Sequence, residues 1–337
     1  MYEDIYNQIM QKVDGLVAED RIDQAVDILD RAVYGFVERK DYWHAKDCYT
    51  KIMEVNPLAL SEIIRVADFI ERSVYDNIST DHKAAWKELY NELPRETAVA
   101  FYMGLEEVLL KPGEVLFHQR DLNDRLFFID SGSIGLYAET KFDKILLATL
   151  RPGEFAGIEG FLFNTYCSNT AQAEGPTVLR ALKLSDYQKW PANFNALATK
   201  INFMAEKQQE RVSEVIKRTA IQRRRYERYA PNNRVYVEMT FPDFNKKFRA
   251  ELLNVSFGGV AALGRIDPEI FRSVLGAVTE LNFVTKKQNF ESVFNKTFVA
   301  EVVGAVPKYN HNYSIHLQFK DLLESGELNT LINRVAI

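Results

Sequence analysis

Residues 109–139 read LLKPGEVLFHQRDLNDRLFFIDSGSIGLYAE, and residues 144–157 read KILLATLRPGEFAG. Both stretches consist of short apolar runs, such as Leu126–Ile129, that alternate with turns rich in glycine and aspartate. Short apolar runs bounded by turn residues are typical of β-strands rather than of helices. The middle of the chain therefore predicts a β-domain, which we place at residues 93–190.

These residues resemble the cyclic-nucleotide-binding domain, the jelly-roll barrel of the cyclic-AMP receptor protein and its relatives. The resemblance rests on Pro112-Gly113-Glu114, on the strand Leu126–Ile129, on Ser131-Gly132 and on the turn Pro152-Gly153-Glu154-Phe155. It implies a jelly-roll fold for the central domain.

The nucleotide-binding cassette of that family is altered in this chain. In the family, a Gly-Glu pair holds the ribose hydroxyls and an arginine pairs with the cyclic phosphate. Gly157 matches the glycine, but Ile158 takes the place of the glutamate, and Asn169 before Thr170 takes the place of the arginine. A neutral amide cannot offset a phosphate charge as a guanidinium does. We therefore interpret the domain as a degenerate structural and dimerising module, although Glu159 would match after a slip of one residue and an altered ligand stays open.

The first ninety residues have the periodicity of amphipathic helices. Apolar residues recur at Ile5, Ile9, Val13 and Val17, and then at Ile22, Val26, Leu29 and Val33. Further helices are expected at Tyr42–Val55, Leu60–Val74 and His82–Leu89. The segment from Tyr42 to Asn56-Pro57 resembles the second helix of a tetratricopeptide repeat, but Ala25 and Ala45 lie too close together for the period of that family. We expect a helical bundle over residues 1–92, with a tetratricopeptide-like arrangement as the alternative.

A long polar helix is predicted to follow the central domain, within residues 191–222. Its residues Phe194, Leu197, Ile201, Met204 and Val215 fall on a seven-residue repeat, with Gln208 and Arg211 at the intervening positions. In the family resemblance this helix pairs two subunits, so we expect self-association, as a dimer or a larger assembly, through residues 194–215. The alternative is a helix that lies on its own barrel.

Residues 223–337 are again rich in strands. The expected strands are Val235–Val237, Phe248–Val255, Gly259–Leu263, Val278–Val284, Thr297–Val303 and Tyr313–Phe319, followed by a helix at Asp321–Arg334. Many short strands with turns between them indicate a small barrel. The fold class is thus multidomain α+β: an N-terminal helical bundle, a central jelly-roll barrel with a long dimerisation helix, and a C-terminal six-stranded β-barrel.

Two short motifs mark the start of this last domain. QRRRYERY places Arg224 and Arg228 four residues apart, with Arg223 just before them, and NVSFGG follows at residues 254–259. The pair, in this order and spacing, resembles the RxxxR and [DN]xSxxG signatures of PilZ domains. That resemblance implies a bacterial receptor for cyclic di-GMP, held by Arg223, Arg224, Arg228, Asn254, Ser256, Gly258 and Gly259.

The residue types of both motifs suit a guanine-bearing diester. Guanine presents two adjacent acceptors, O6 and N7, which the fork of an arginine satisfies together. Arginine also pairs with phosphate through two hydrogen bonds and stacks on purine faces. Asn254 can supply an amide to a base edge and Ser256 a hydroxyl, while Gly259 lets backbone and ligand approach closely. The resemblance to PilZ domains further implies that Arg223, as an extra cation before the motif, favours two intercalated ligand molecules per domain.

Composition excludes several other classes of function. The 337 residues carry a formal net charge of −5, which does not favour nucleic acid as the main partner. The N-terminal sequence does not resemble a secretory signal, no apolar run is long enough to span a membrane, and Cys48 and Cys167 show no CxxC spacing. His44 and Cys48 are interpreted as core residues rather than metal ligands.

The sequence therefore predicts a cytoplasmic receptor for cyclic di-GMP that is not an enzyme, with no catalytic residue, metal or cofactor. Ligand binding is expected to change how the domains are arranged and so to act on an unknown downstream protein. Two alternatives remain: an integrator that also binds cyclic AMP in the central barrel, and an assembly scaffold without a ligand. We expect no cyclic AMP binding at micromolar concentration, because the cassette lacks both polar partners.

Overall fold

The computed structural model describes residues 2–139, 144–190, 192–218, 225–267, 270–286, 290–308 and 312–333. The chain divides into two compact units, Met1–Leu105 with Pro191–Leu197, and Glu106–Trp190 with Ala198–Ile337. The predicted domain limits at residues 92, 190 and 222 stay predictions. Among the described helices, none has the length and apolar character that crossing a membrane requires.

The first unit is helical, as its periodicity predicts. Its helices are α1 (Tyr2–Ala18), α2 (Ile22–Glu38), α3 (Tyr42–Val55), α4 (Leu60–Asn77), α5 (Thr80–Ala85), α6 (Lys87–Tyr90) and α7 (Arg95–Met103). Helix is confirmed around the predicted His82–Leu89, as two short helices, α5 and α6, separated by the single buried residue Trp86. The short helix α7 was not predicted.

The predicted apolar face of the first two helices contributes to the core of this unit. Val13, Val26, Leu29 and Val33 are buried there. Val17 is 36% exposed, and Leu16, three residues after Val13, takes the buried position instead. The pattern alone does not show which of the residues three and four positions after Val13 is buried, since both lie on one face of the helix.

The central domain is a sandwich of two antiparallel sheets, which confirms the predicted β-fold. One sheet has the order β1 (Glu106–Leu110), β8 (Thr177–Lys183), β3 (Arg125–Ser131), β6 (Phe155–Ala156), and the other has the order β2 (Val115–Phe117), β7 (Thr170–Ala173), β4 (Ile134–Glu139), β5 (Lys144–Leu150). Two short helices complete it, α8 (Ile158–Phe163) and α9 (Leu184–Tyr187). Gly113, Gly132 and Gly153 occupy predicted turns with a positive φ, which glycine adopts without steric cost.

The long helix α10 (Asn195–Arg218) follows a 3-10 turn at Ala192–Phe194. It buries Leu197, Ile201, Ala205, Gln208 and Val212 within this chain. The amide of Gln208 accepts from the backbone N of Phe155 at 2.8 Å and donates to its carbonyl at 2.7 Å. The predicted intersubunit seam is therefore corrected at Leu197, Ile201 and Gln208, which face the chain's own fold. Self-association itself stays a prediction.

The C-terminal domain is a closed barrel of six antiparallel strands. The strands are β9 (Val235–Phe241), β10 (Lys246–Ser256), β11 (Gly259–Arg265), β15 (Asn312–Phe319), β14 (Phe298–Pro307) and β12 (Val278–Lys286), and pairing of β12 with β9 closes the ring. The short strand β13 (Phe290–Ser292) pairs with β12 outside this ring, and Pro242–Phe244 forms a 3-10 turn. The six-stranded barrel is thus confirmed within the described residues.

The closing helix is shorter than predicted. Helix α11 (Ser325–Asn333) begins four residues after the predicted Asp321, and Arg334 lies outside the described residues. The backbone N of Leu323 donates to the carbonyl of Phe257 at 2.9 Å, which keeps this segment extended along the barrel. Glu327 then caps the helix by accepting from the backbone N of Glu324 at 2.9 Å.

His44 joins three elements of the first unit. Its Nδ1 lies 2.7 Å from Asp41 Oδ2 at the start of α3, and its Nε2 lies 3.2 Å from Glu3 Oε2 on α1. The ring also packs against Tyr6 and Phe36, with centroid separations of 4.5 and 5.3 Å. The hydrogen bond to Asp41 raises the pKa of His44 above 6.5, burial opposes this, and Glu3 adds to the rise.

We expect the first unit to lose stability as the pH rises. A raised folded-state pKa stabilises fully below the unfolded value, and this contribution is lost as the pH rises through the folded value. The free energy of unfolding should therefore fall as the pH rises through the raised folded-state pKa of His44. The measurement is urea unfolding at several pH values, with His44→Gln as the control. An equal pH slope in both proteins would contradict the assignment.

Candidate functional site

The structure brings the two C-terminal motifs side by side. The backbone N of Tyr229 donates to the carbonyl of Val255 at 2.8 Å, and the backbone N of Val255 donates back to the carbonyl of Tyr229 at 2.9 Å. The ring of Tyr226 lies over Gly258, where an added Cβ would come within 2.8 Å of it. Residues 225–229 therefore run along the end of β10 and the turn after it.

Arg228 is the one arginine of the predicted binding set that lies in the described part of the chain, where it is exposed. Arg223 and Arg224 lie outside the described residues. Because Tyr229 pairs with Val255, Arg228 is fixed next to the strand that carries Asn254. The structure therefore places one cation of the predicted site, Arg228, near one amide of that site, Asn254.

The residues of NVSFGG differ in what surrounds them. Asn254 sits at an irregularity of the β10–β11 ladder, and its Oδ1 is buried with no hydrogen-bond partner among the described residues. Ser256 is buried, and its hydroxyl donates to the carbonyl of Gly259 at 3.2 Å. An added Cβ at Gly259 would overlap the carbonyl of Leu317. The glycine is therefore required by strand packing, and close approach to a ligand stays a prediction.

The altered cassette of the central domain has its own hydrogen bonds. Gly157 has a φ of +85°, and an added Cβ would come within 2.5 Å of Asn123 Nδ2, so only glycine fits. Glu159 accepts from the backbone N and the hydroxyl of Ser168, both at 2.7 Å. Asn169 is buried and donates to the Ser168 hydroxyl at 2.8 Å. The buried Thr170 donates to Glu139 at 2.6 Å.

A cavity of about 1310 Å³ opens between the central sandwich and the C-terminal barrel. The central domain contributes the cassette residues Glu159, Ser168 and Asn169, and helix α10 contributes Gln209 and Ser213. The C-terminal barrel contributes polar and charged side chains, which are Arg228, Glu301, His316, Gln318 and Lys320. Its apolar walls are Phe117, Leu136, Leu150, Phe155, Val212 and Ile216. The motif arginine and the cassette therefore face one space.

Helix α8 connects this cavity to the C-terminal barrel. Arg272 of the barrel donates to the carbonyls of Gly160 at 3.3 Å and Phe161 at 2.8 Å. The last carbonyls of a helix lack partners within the helix, and a cation there also suits the helix dipole. Burial lowers the pKa of Arg272 from its ordinary value, but an arginine stays charged at neutral pH.

The residue after α8, Asn164, stabilises the same junction between α8 and the C-terminal barrel. Asn164 has a φ of +47°, a left-handed conformation that asparagine tolerates better than most residues. Its side-chain amide donates to the carbonyl of Phe271 at 2.6 Å, and its own carbonyl accepts from Ala305 N at 3.1 Å. Thr165 then forms a bridge with Gly304, where an added Cβ would lie 2.8 Å from the Thr165 methyl group.

A polar contact lies at the cavity edge of this junction. Glu301 Oε2 accepts from Lys320 Nζ at 2.7 Å, and Glu301 Oε1 accepts from the hydroxyl of Tyr166 at 3.4 Å. Sequence reasoning missed these residues and Arg272, because they meet only through tertiary structure. No local motif marks them.

We expect the Arg272 contact to stabilise the junction. Arg272→Met keeps the apolar stem but leaves the α8 carbonyls without their charged donor, so the free energy of unfolding should fall by about 1.5–3 kcal/mol. Urea titration measures this, with Arg234→Met on an exposed arginine of the same barrel as the control. Equal stability of both variants would contradict the assignment.

Comparison with known proteins agrees with the central fold. Residues 107–192 match the family described as the cyclic nucleotide-binding domain. No curated protein matches the chain. Among solved structures, the c-di-GMP responsive global regulator of Xanthomonas campestris is 19% identical, with a TM-score of 0.34, over 38% of this chain and 63% of that protein.

Two further structures are similar over comparable lengths. The catabolite activator protein of Thermus thermophilus is 25% identical, with a TM-score of 0.31, over 39% of this chain and 61% of that protein. The N-terminal domain of a transcriptional regulator from Streptomyces coelicolor A3(2) is 23% identical, with a TM-score of 0.27, over 40% of this chain and 85% of that chain. The family match supports a cyclic nucleotide-binding domain at residues 107–192 of this chain.

Proposed function

We propose that this chain is a receptor for cyclic di-GMP, which it binds at a PilZ-like C-terminal barrel. The observation that carries the proposal is the reciprocal pair of backbone hydrogen bonds between Tyr229 and Val255, at 2.8 and 2.9 Å. These bonds join the two motifs that the sequence pairs only by resemblance. The receptor is not an enzyme, and its output is a change in domain arrangement that a downstream protein detects.

The groups around this pairing suit the proposed ligand. Arg228 is exposed beside the turn and can bind a guanine edge or a phosphate. The Oδ1 of Asn254, which has no hydrogen-bond partner among the described residues, is an acceptor for which a guanine amine is a suitable donor. A buried acceptor without a donor is costly, so a ligand that supplies one binds with that cost removed. Arg223 and Arg224 complete the proposed set, with two intercalated ligand molecules per domain.

A second function is an integrator of two messengers. It is favoured by the cavity of about 1310 Å³ at the cassette of the central domain. Against it, Glu159 is already bonded to Ser168, and the buried Asn169 stands where the family has its phosphate-binding arginine. We therefore keep cyclic di-GMP as the leading ligand. The ligand-free scaffold is the third alternative, which the absence of any nucleotide isotherm would support.

We expect Arg228→Ala to weaken cyclic di-GMP binding by about 2 kcal/mol, close to thirtyfold, since it removes a charge-assisted contact. Isothermal titration of the full chain measures this and also counts the ligands per chain, for which we expect two. Arg234→Ala, on an exposed arginine of the same barrel, is the matched control and should bind like the wild type. Unchanged affinity in Arg228→Ala would rule out the site.

We also propose self-association through the exposed face of α10. Phe203 is 64% exposed on this helix, whereas the predicted seam residues Leu197 and Ile201 are buried and cannot be charged without damage to the fold. Phe203→Glu should lower the mass measured by light scattering. Leu122→Glu, at a similarly exposed apolar position, is the control. A monomeric wild type, or an equal mass for both variants, would contradict the proposal.

A further inference from the structure

The side chain of Tyr226 connects the arginine motif to the NVSFGG turn. An added Cβ at Gly258 would lie 2.8 Å from Cδ2 and 3.0 Å from Cε2 of the Tyr226 ring, so the ring edge rests against the glycine. The ring of Phe257 packs against the same tyrosine in a T-shaped arrangement, with a centroid separation of 6.1 Å. The tyrosine ring therefore lies directly on the turn that carries the second motif.

The turn beneath this ring is fixed by backbone hydrogen bonds. The backbone N of Phe319 donates to the carbonyl of Gly258 at 3.0 Å, and the backbone N of Leu323 donates to the carbonyl of Phe257 at 2.9 Å. A binding surface that is already held in place loses little conformational freedom when a ligand arrives. The position of the Tyr226 ring is thus set by the barrel itself.

The two glycines of the motif lack a Cβ for different reasons. At Gly259 an added Cβ would come within 2.3 Å of the carbonyl of Leu317, which is strand backbone and cannot move without disturbing the sheet. At Gly258 the close atoms belong to the side chain of Tyr226, which can rotate away, and the backbone φ lies outside the left-handed region. A Cβ at Gly258 would therefore displace the tyrosine ring at little cost to the fold.

The surroundings of the Tyr226 ring are those of a base-stacking group. The side chain is partly exposed, and the guanidinium of Arg225 lies over the ring, 5.5 Å from its centroid. Aromatic rings and arginine planes are the groups on which proteins stack unpaired bases. The bases of a cyclic dinucleotide are unpaired, so their faces are available for such a stack.

We propose that Tyr226 contacts the ligand, with a purine base of the cyclic dinucleotide stacked on its ring, and that Gly258 acts through Tyr226 by leaving room for that ring. The proposal rests on the proposed function. It assigns a role to a position that the RxxxR pattern leaves open. It also changes the expected role of Gly258, from a direct neighbour of the ligand to a positioning residue.

A double-mutant cycle tests both parts of the proposal. Isothermal titration of the full chain with cyclic di-GMP compares the wild type with Tyr226→Ala, Gly258→Ala and the double variant. We expect about tenfold weaker binding in each single variant, which is the size of one lost base stack. The double variant should bind no more weakly than either single variant, because both changes remove the same contact.

Two control variants separate the stack from a general effect on the fold. Tyr226→Phe keeps the aromatic ring and should bind like the wild type. Gly326→Ala changes a glycine of α11 whose added Cβ would meet nothing within 4 Å, and it should also leave the affinity unchanged. Urea unfolding of each variant shows that the barrel is still folded.

The possible contrary results are distinct. Wild-type affinity in Tyr226→Ala, or a loss in Tyr226→Phe as large as in Tyr226→Ala, would remove the stacking role and leave the receptor function. Additive losses in the double variant would show that Gly258 contacts the ligand itself, which overturns its positioning role. A wild type that does not bind cyclic di-GMP would remove the stacking role together with the proposed function.

Discussion

The contact between Arg272 and the end of α8 is the constraint on which the junction of the two β-domains depends. A helix of six residues cannot satisfy its last carbonyls, and here a guanidinium from the neighbouring barrel donates to two of them. Asn164 extends the same junction with hydrogen bonds to Phe271 and Ala305. Helix α8 also carries Glu159 of the cassette. These contacts therefore hold the cassette and the C-terminal barrel against the same cavity.

Much of the fold could be predicted because its signals are local. Turn glycines such as Gly132 and Gly153 have the positive φ that their positions require, and the alternating strand Val235–Phe241 points every second residue into the barrel. The errors occur where tertiary contacts decide the outcome. The helix predicted around His82–Leu89 is interrupted at the buried Trp86, and Gln208 faces the backbone of Phe155 although its spacing also fits an intersubunit seam. Neither feature can be recognised from the neighbouring sequence.

The candidate site likewise has a part that the sequence predicts and a part that only the structure shows. The family resemblance predicts that a ligand bridges the arginine motif to the NVSFGG turn, and this stays a prediction. The structure brings residues 225–229 beside that turn through the bonds between Tyr229 and Val255. The cavity does not follow from sequence, because Glu159 and Arg228 come together only when two separate β-domains dock. Gly259 shows a further limit, since its required lack of a Cβ is explained by Leu317 and not by a ligand.

The central claim is the proposal that cyclic di-GMP binds at the C-terminal barrel, beside the turn to which Tyr229 and Val255 join residues 225–229. The most direct test is hydrogen–deuterium exchange of the full chain with and without cyclic di-GMP. We predict slower exchange in residues 225–229 and in the 254–259 turn. No change in either segment would contradict the proposed receptor function.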